Sequence, residues 1–489
     1  GETRQTDHRG TTSNSRNSEH LCAVFRQELS PNAGFLTGEE ALETSLTTMT
    51  NDGEMSDDTF SHDSQDFQEN YDTFAIEEAS RRSTELKPSV KKALLRFRIK
   101  LQDAILGNYI YGRPPTFVYG IDFKGSSEDI SIDSMELRED IRDISLWGIP
   151  LLPSKGHEGT DVILLKFLQA KDFKVNEAFE MLRKTLKWRK EFKVDKILDE
   201  IIASELEGMT YMDSTDRGGH PVCYMIYGAF KDNDLFRKAF GSEEKSKEFL
   251  RWRIQIMEKN IQALGFKSGG ANSIVQITDL KNSPGPGTKD MRVTSKKAYM
   301  LLQENYPELI YKNILVNVPF WYYAYHSVST RLLTQRMKSK FIFARPSKVT
   351  KTLLKFIPPE NLPVQYGGLK RENDDEFPPE YPVLETIVNP GCIDSIQVPI
   401  PEPGVTVVWD LTVVRLDVSY KEEFVPDDDC SYRIPIQMEK KMSGSVRNSF
   451  YISEPGMILL TIDNSTFKKK KVLYRLKIKP TVPMYIQLK

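Results

Sequence analysis

The spacing of hydrophobic residues is helical in residues 86–112. Apolar positions recur there at three- and four-residue steps, and lysines and arginines fill the positions between them. The apolar positions are Val90, Leu94, Phe97, Leu101 and Ile105. This pattern predicts a basic amphipathic helix, with Pro88 in its first turn and Gly107 at its end. Such a helix can pack on the next domain or lie on a membrane.

Two further helical patterns follow a polar, acidic linker at 125–158. The segment DVILLKFLQAKDF predicts a helix that opens at Thr160 or Asp161. The segment NEAFEMLRKTLKWRKEF predicts a second helix with Asn176 as its N-cap, since a side-chain oxygen can accept from the first helical N–H groups. We expect residues 140–199 to form a small helical subdomain.

The pattern changes at about residue 200, where short apolar runs alternate with helical ones. Strands are predicted at 222–227, 273–280, 314–318 and 340–344. Helices are predicted at 243–264, with Gly265 as a C-cap, at 292–304, and within the stretch 341–368, between its strand and its proline-containing exit. Strands alternating with helices indicate an α/β domain with a largely parallel sheet, at 200–372.

The last 110 residues alternate apolar and polar positions, as β-strands do. The clearest run is Val405, Val407, Trp409, Leu411 and Val413. Leu416 and Val418 continue the pattern on even numbers, and this change of phase predicts a bulge after Val413. Turn residues at 426–429, 454–456 and 463–465 separate short strands. A β-sandwich at 380–485 fits this pattern.

Charge is distributed unevenly along the chain. Residues 1–85 hold 18 acidic and 6 basic side chains and few aliphatic ones, whereas the net charge of all 489 residues is −2. The first 85 residues therefore predict a disordered acidic tail, and the rest of the chain is net basic. A basic body can bind anionic surfaces such as phospholipid headgroups.

Several classes of function find no support in the sequence. The four cysteines lie far apart, as in a reducing cytosol, and no run of eighteen apolar residues or secretory signal occurs. Phosphate-loop and hydrolase motifs are absent, and the six histidines have no metal-ligand spacing. We therefore expect no enzyme, no cofactor, no metal site and no nucleic-acid partner.

Four sequence segments resemble a known lipid-binding module. They are DVILLKFLQAKDFKV at 161–175, WRKEF at 188–192, YPE at 306–308 and IPPENLPVQYGG at 357–368. These segments are similar to CRAL-TRIO phosphatidylinositol-transfer proteins of the yeast secretory type. With VSYKEEFVP at 418–426, the chain resembles the plant patellin family more closely, in which a GOLD β-sandwich follows the CRAL-TRIO domain.

The resemblance implies a fold and a function. The fold is a multidomain one, with an α/β CRAL-TRIO domain, its helical N-terminal subdomain and a C-terminal all-β GOLD sandwich. The function is peripheral membrane binding and transfer of a phospholipid or phosphoinositide in membrane trafficking, with cell-plate formation in cytokinesis as one such process. A carrier of another hydrophobic ligand, or a GOLD-centred trafficking adaptor with a vestigial lipid site, remain alternatives. Each of these three functions implies a cytoplasmic protein. Phospholipid binding and transfer also implies peripheral association with membranes.

The resemblance also implies site residues. Three charged residues would approach the lipid headgroup, namely Lys171, Glu308 and Lys340. A gating helix over the pocket would contact the membrane through aromatic and basic side chains, namely Phe320, Trp321, Tyr322, Tyr325, Arg336 and Lys338. Aromatic rings with polar tips favour the membrane interface. A cluster just after a predicted turn in the sandwich offers a further anionic-membrane patch, made of Lys468, Lys469, Lys470 and Lys471.

Overall fold

A computed structural model describes residues 86–112, 141–283, 289–318 and 339–481. The predicted acidic tail at 1–85 and much of the predicted linker lie outside these ranges. The described helices are α1 (Pro88–Leu106), α2 (Glu158–Ala170), α3 (Val175–Glu191), α4 (Asn233–Phe240), α5 (Glu243–Ile261), α6 (Lys289–Asn305) and α7 (Val349–Phe356). The strands before the sandwich are β1 (Ser145–Leu146), β2 (Ile149–Pro150), β3 (Thr210–Thr215), β4 (Pro221–Ile226), β5 (Ile274–Asp279), β6 (Ile310–Val316) and β7 (Phe341–Ala344).

The apolar face of α1 is buried in the domain that follows it. Phe97 and Leu101 are fully buried, and the Phe97 ring meets the edge of Phe179 of α3 at a centroid distance of 6.5 Å. Burying each such side chain contributes about 1.5–3 kcal/mol to folding. Of the two interpretations of this basic helix, packing on the neighbouring domain is therefore the one that the structure supports.

Three predicted helix ends differ in the structure. The N-cap of α2 is His157, whose Nδ1 accepts from the Gly159 N–H at 3.0 Å. Asn176 does not cap α3, because its Oδ1 accepts instead from Lys100 Nζ of α1 at 2.7 Å. The C-cap of α5 is Gln262 rather than Gly265. At α3, a contact with another helix therefore takes the place of local capping.

Residues 141–156 pack into the core, although their composition predicted a linker. The short hairpin of β1 and β2 turns at Trp147, which has a left-handed backbone with φ of 53°. The Trp147 ring stacks near three others, with centroid distances of 6.3 Å to Phe167, 5.8 Å to Phe266 and 6.1 Å to Tyr306. This hairpin therefore joins the helical subdomain to the α/β domain.

The central sheet has the strand order β3-β4-β5-β6-β7 among the described strands. Strands β4 to β7 run parallel, as the alternation of strands and helices predicted. Strand β3 is antiparallel to β4 and was not predicted. Its sequence, TYMDST, lacks regular alternation, and its ladder with β4 depends on partners that only the fold supplies.

The C-terminal unit is a β-sandwich of two antiparallel sheets. Its strands are β8 (Leu384–Val388), β9 (Cys392–Ile400), β10 (Val405–Val413), β11 (Ser419–Pro426), β12 (Ile434–Lys441), β13 (Val446–Ile452), β14 (Gly456–Asn464) and β15 (Lys470–Pro480). The sheet orders are β13-β10-β15-β8 and β12-β11-β14-β9. Trp409, Tyr420 and Phe424 fill the core between them.

The bulge predicted after Val413 is not there. Strand β10 ends at Val413, and Arg415 in the following connection has φ of 68°. The change of phase therefore marks the end of a strand. Register shifts occur instead between β11 and β12, on either side of Glu422.

An ion-pair network joins the exit of the α/β domain to the sandwich. Arg447 donates to Asp374 of the connecting segment at 2.6 and 2.7 Å and to Asp410 of β10 at 2.6 Å. Arg475 donates to Asp410 at 3.0 Å and to the Leu369 carbonyl at 2.9 Å. Because these groups are buried or half-buried, the network holds the connecting segment firmly against β10, β13 and β15.

Within the described ranges, no helix is both long enough and apolar enough to cross a bilayer.

Candidate functional site

One face of the central sheet mixes polar and apolar side chains. Register pairs Cys223, Gln276, Asn313 and Phe341 in a row across β4, β5, β6 and β7. A second row on the same face contains Met225, Thr278, Leu315 and Phe343. Gln276 and Phe343 are only half-buried. We refer to these two rows as the sheet floor.

The opposite face of the sheet is sealed by α7. Tyr224, Ile277 and Ile314 lie on that face and pack in one apolar cluster with Leu353 and Phe356 of the helix. The two faces therefore differ, because one is closed by an apolar helix and the other carries amide and hydroxyl groups among its apolar residues. Amide and hydroxyl groups among apolar residues could orient a ligand on the second face.

A cluster of charged groups lies where the sheet floor begins. Lys340 immediately precedes Phe341, and its Nζ donates to Glu308 Oε2 at 3.0 Å. Lys166 of α2 is 6% exposed, and its Nζ donates to the Glu308 carbonyl at 2.8 Å. Glu308 itself has a left-handed backbone with φ of 54°, which is uncommon for a residue with a side chain. The three residues are held together by the fold, since 142 positions separate Lys166 from Glu308.

A buried network fixes the segment that carries Glu308. Tyr306 donates its hydroxyl to Glu258 Oε1 of α5 at 2.5 Å, and Arg189 Nη1 of α3 donates to the same oxygen at 2.5 Å. Burial, followed by the Glu258 charge, raises the pKa of Tyr306 well above its usual value. Tyr306 therefore stays protonated and donates to Glu258 at neutral pH, and Glu308 lies two residues from this fixed point.

The structure brings two of the three predicted headgroup residues together. Glu308 and Lys340 form an ion pair. Lys171 lies at the C-cap of α2, and the helix reaches Glu308 through Lys166 instead. The sequence contained a signal for Lys166, because it is a lysine on the apolar side of α2, one position before the fully buried Phe167.

The predicted gate residues cannot be located. Phe320, Trp321, Tyr322, Tyr325, Arg336 and Lys338 all lie outside the described residues.

The predicted lysine patch of the sandwich is smaller than the sequence indicated. Lys470, the first residue of β15, is 1% exposed and forms an ion pair with Asp417. It therefore cannot contact a membrane. The alternation of β15 accounts for this, since Lys470 begins the strand on its inner face. Lys468 and Lys469 are exposed, and Lys471 lies 3.4 Å from Glu385.

Lys468 instead belongs to a basic surface shared by both domains. Burial lowers the pKa of Lys348, and repulsion from nearby cations lowers it further, to about 8. The cations that act on Lys348 are Arg415, Lys351, Arg345 and Lys468. We name these five residues the junction patch. The sequence did not predict the junction patch, because its members come from the start of α7 and from two loops of the sandwich.

Among the described residues, no group of His, Cys, Asp and Glu side chains is arranged to hold a metal ion.

Three family models match the chain in order. The CRAL/TRIO N-terminal domain matches residues 135–184, the CRAL/TRIO domain matches 206–368, and the Patellin-1-like C-terminal GOLD domain matches 389–470. The crystal structure of Sfh5 aligns with a TM-score of 0.41 at 22% identity, covering 54% of this chain and 84% of that one.

Individual relatives agree with these models. Patellin-4 of Arabidopsis thaliana is 52% identical over 355 residues, which cover 72% of this chain and 63% of the relative. Patellin-6 of the same plant is 44% identical over 333 residues, covering 67% of this chain and 80% of the relative. A phosphatidylinositol transfer protein, sfh5 of Sclerotinia sclerotiorum, is 30% identical over 261 residues, covering 48% and 59%. The matches span 63% of the length of Patellin-4 and 52% of Patellin-5. With its CRAL-TRIO domain followed by a GOLD sandwich, the chain belongs to the patellin family.

Proposed function

We propose that this protein binds a membrane phospholipid, with its acyl chains over the sheet floor and its headgroup phosphate at Lys340, and exchanges it at anionic membranes. The observation that carries the proposal is the cluster of Lys340, Glu308 and Lys166 directly beside Phe341. Acyl chains need apolar cover, because each CH₂ removed from water gains about 0.8 kcal/mol. A phosphate needs a cation close to that cover, and Lys340 is such a cation.

The Lys340–Glu308 pair suits an exchangeable site. The Lys340 side chain is 27% exposed and that of Glu308 is 18% exposed, so that water still reaches both groups. A lysine is a flexible point charge, and it can turn from a carboxylate to a phosphate without changing the backbone. Glu308 would then hold Lys340 in place while the pocket contains no phosphate.

The junction patch supports the membrane part of the proposal. Each basic side chain near an anionic surface contributes on the order of 1 kcal/mol, so five cations on one surface favour association with anionic lipids. The sfh5 relative is a phosphatidylinositol transfer protein, which agrees with a phospholipid ligand. We propose phosphoinositides as the preferred anionic lipids, and membrane trafficking, including cell-plate formation, as the process.

Lys340→Ala tests the site. We expect about tenfold weaker binding to vesicles that contain phosphatidylinositol phosphates, since a hydrogen bond to a charged group contributes roughly 1.5–3 kcal/mol. Co-sedimentation with vesicles measures the binding, and mass spectrometry of co-purified lipid identifies the ligand.

Lys187→Ala is the matched control, because Lys187 also pairs with a glutamate, Glu191, but is 67% exposed on α3. It should leave binding unchanged. Equal vesicle binding and equal lipid content in the Lys340→Ala protein would contradict the assignment of Lys340. Binding of the parent protein that is the same for neutral and anionic vesicles would favour a carrier of an uncharged ligand.

A further inference from the structure

Helix α1 carries a second apolar stripe on its exposed side. The stripe consists of Leu95, Ile99 and Leu106, which are 57%, 55% and 49% exposed. At 3.6 residues per turn these positions lie within about 40° of one another, almost opposite the buried Phe97 and Leu101. We name the three residues the outer stripe. Since a helix that is apolar on more than one side is normally buried, the outer stripe calls for a second partner.

Cations flank the outer stripe on both sides. Lys91, Lys92 and Arg96 are exposed, and no residue in the described ranges forms an ion pair with them. By contrast, Arg98, further round the helix, pairs with Asp161 of α2. A partner that fits this surface would therefore offer apolar side chains to the stripe and carboxylates to the cations beside it.

Residues 60–78 of the same chain have this chemistry. They include six acidic side chains and no lysine or arginine. Their large apolar residues recur at steps of seven, four and three, as on one face of a helix, and are Phe60, Phe67, Tyr71 and Phe74. Only residues 79–87 separate this segment from the start of α1. A tether of that length holds the segment at roughly millimolar effective concentration near the helix.

The two apolar patterns match when the segment runs antiparallel to α1. Positions 71, 67 and 60 are separated by four and seven residues, and so are the positions of the outer stripe. Because every α-helix rises about 1.5 Å per residue, all three positions can meet in one register. The pairs would be Tyr71 with Leu95, Phe67 with Ile99, and Phe60 with Leu106. Residues 79–87 would then turn the chain, a length close to that of common helix–helix connections.

We propose that residues 60–78 dock on the outer stripe as a helix antiparallel to α1, with their carboxylates beside Lys91, Lys92 and Arg96. The acidic composition of residues 1–85 disfavours a folded structure of their own, and the outer stripe would supply the apolar contacts that the segment lacks. The docked segment would also cover the three cations and withdraw them from other anionic partners. This contact is separate from the proposed lipid site, since it uses neither the sheet floor nor Lys340.

Disulfide trapping in the full chain tests this register. Phe60→Cys with Leu106→Cys should cross-link about tenfold faster than Phe60→Cys with Leu95→Cys. In the docked register positions 60 and 95 would lie about 16 Å apart along the helix axis, which is too far for a disulfide. The tether alone predicts the opposite order, because position 95 is nearer to position 60 along the chain. Three native thiols are first replaced, by Cys22→Ser, Cys392→Ser and Cys430→Ser, and the fourth, Cys223, is buried.

A charge placed in the outer stripe should remove the preference for Leu106→Cys. Ile99→Asp should slow that cross-link to the rate of the Leu95→Cys pair, because an apolar contact is replaced by a carboxylate that would be buried without a partner. Ile201→Asp is the matched control, since Ile201 is 93% exposed and lies outside α1, and it should leave the rate unchanged. Both changes are at exposed positions, so both variants should remain folded, which circular dichroism checks.

Each result decides the proposal. Faster cross-linking to Leu106→Cys than to Leu95→Cys, lost in Ile99→Asp, supports it. Rates that follow the distance along the chain, or disulfides between two molecules, overturn it. Faster cross-linking of Leu95→Cys to Ile132→Cys than to Tyr71→Cys would assign the outer stripe to residues 113–140 and overturn it. Weaker binding of Ile99→Asp to anionic vesicles, with no effect on cross-linking, would assign the stripe to a membrane and also overturn it.

Discussion

At the scale of single residues, Glu258 decides how the helical subdomain meets the α/β domain. Its carboxylate is nearly buried and accepts from Arg189 of α3 and from Tyr306, two residues before Glu308. A buried carboxylate needs such donors, because the loss of its cationic partner leaves an uncompensated charge. The geometry at Glu308 therefore depends on residues that cannot touch a lipid.

Arg189→Ala and Tyr306→Phe should have different effects on stability. Arg189→Ala leaves Glu258 without its cation and should cost about 3–5 kcal/mol of unfolding free energy. Tyr306→Phe removes one hydrogen bond while the ion pair remains, and it should cost about 1–1.5 kcal/mol. Denaturant unfolding measures both. Equal costs for the two variants would mean that Glu258 is not held chiefly by the ion pair.

At the scale of elements, the start of α7 carries basic residues whose mutual repulsion lowers the stability of the folded protein. Lys348 is partly buried and is repelled by the other four cations of the junction patch, which keeps its pKa at about 8. Its pKa in the unfolded chain is about 10.4. Between these two values the unfolded state binds more protons than the folded state, so the contribution of Lys348 to stability rises with pH. An anion beside these cations would relieve the repulsion.

Lys348→Met separates stability from membrane binding. At neutral pH this variant should be at least as stable as the parent, because it removes the repulsion. Between pH 8 and 10.4 its unfolding free energy should rise less with pH than that of the parent, because the contribution of Lys348 is gone.

Binding of the Lys348→Met variant to anionic vesicles should weaken. Lys247→Met on α5, whose lysine is 71% exposed and pairs with Glu243, is the control. Unchanged vesicle binding in Lys348→Met would show that the junction patch does not contribute to membrane binding.

At the scale of the whole molecule, the two domains are joined by charge rather than by apolar surface alone. Burial opposes ionisation of Asp374, but hydrogen bonds from Arg447 and from the Phe377 and Glu376 N–H groups outweigh it and hold its pKa well below the usual range. The Phe377 ring lies beneath the guanidinium groups of Arg447 and Arg475, at 5.2 and 4.7 Å. We therefore expect the two domains to unfold together.

Asp374→Asn should loosen this junction. One carboxylate partner of Arg447 is lost while Asp410 remains, so the cost should be about 1.5–3 kcal/mol, and the single calorimetric transition should split into two. Asp375→Asn, an exposed neighbour, is the control. The pKa of Asp374 is lower in the folded protein than in the unfolded chain, where it is about 3.9. Its contribution to stability is therefore complete above that pH and is lost progressively as the pH falls below it. A single unshifted transition in Asp374→Asn would show that the network does not couple the domains.

The sequence by itself determined the elements whose residues carry their own periodicity. Helices α1 to α3, the parallel strands β4 to β7 and the alternating strand β10 follow from spacing, because burying an apolar face is a local property of a helix or strand. The resemblance of short segments indicated the family and predicted Glu308 and Lys340, with Lys171, at one headgroup site. Strand β3 was missed because its partner is β4, and the start of α3 was misplaced because Asn176 accepts from Lys100 of α1. The ends of α2 and α5 were also misplaced.

Only the tertiary structure decided which charges meet. Lys166 reaches Glu308 across 142 positions, Lys468 acts on Lys348, and Lys470 is buried against Asp417 instead of facing solvent. Charge interactions depend on distance and burial, and neither quantity is encoded in the spacing of residues along a chain.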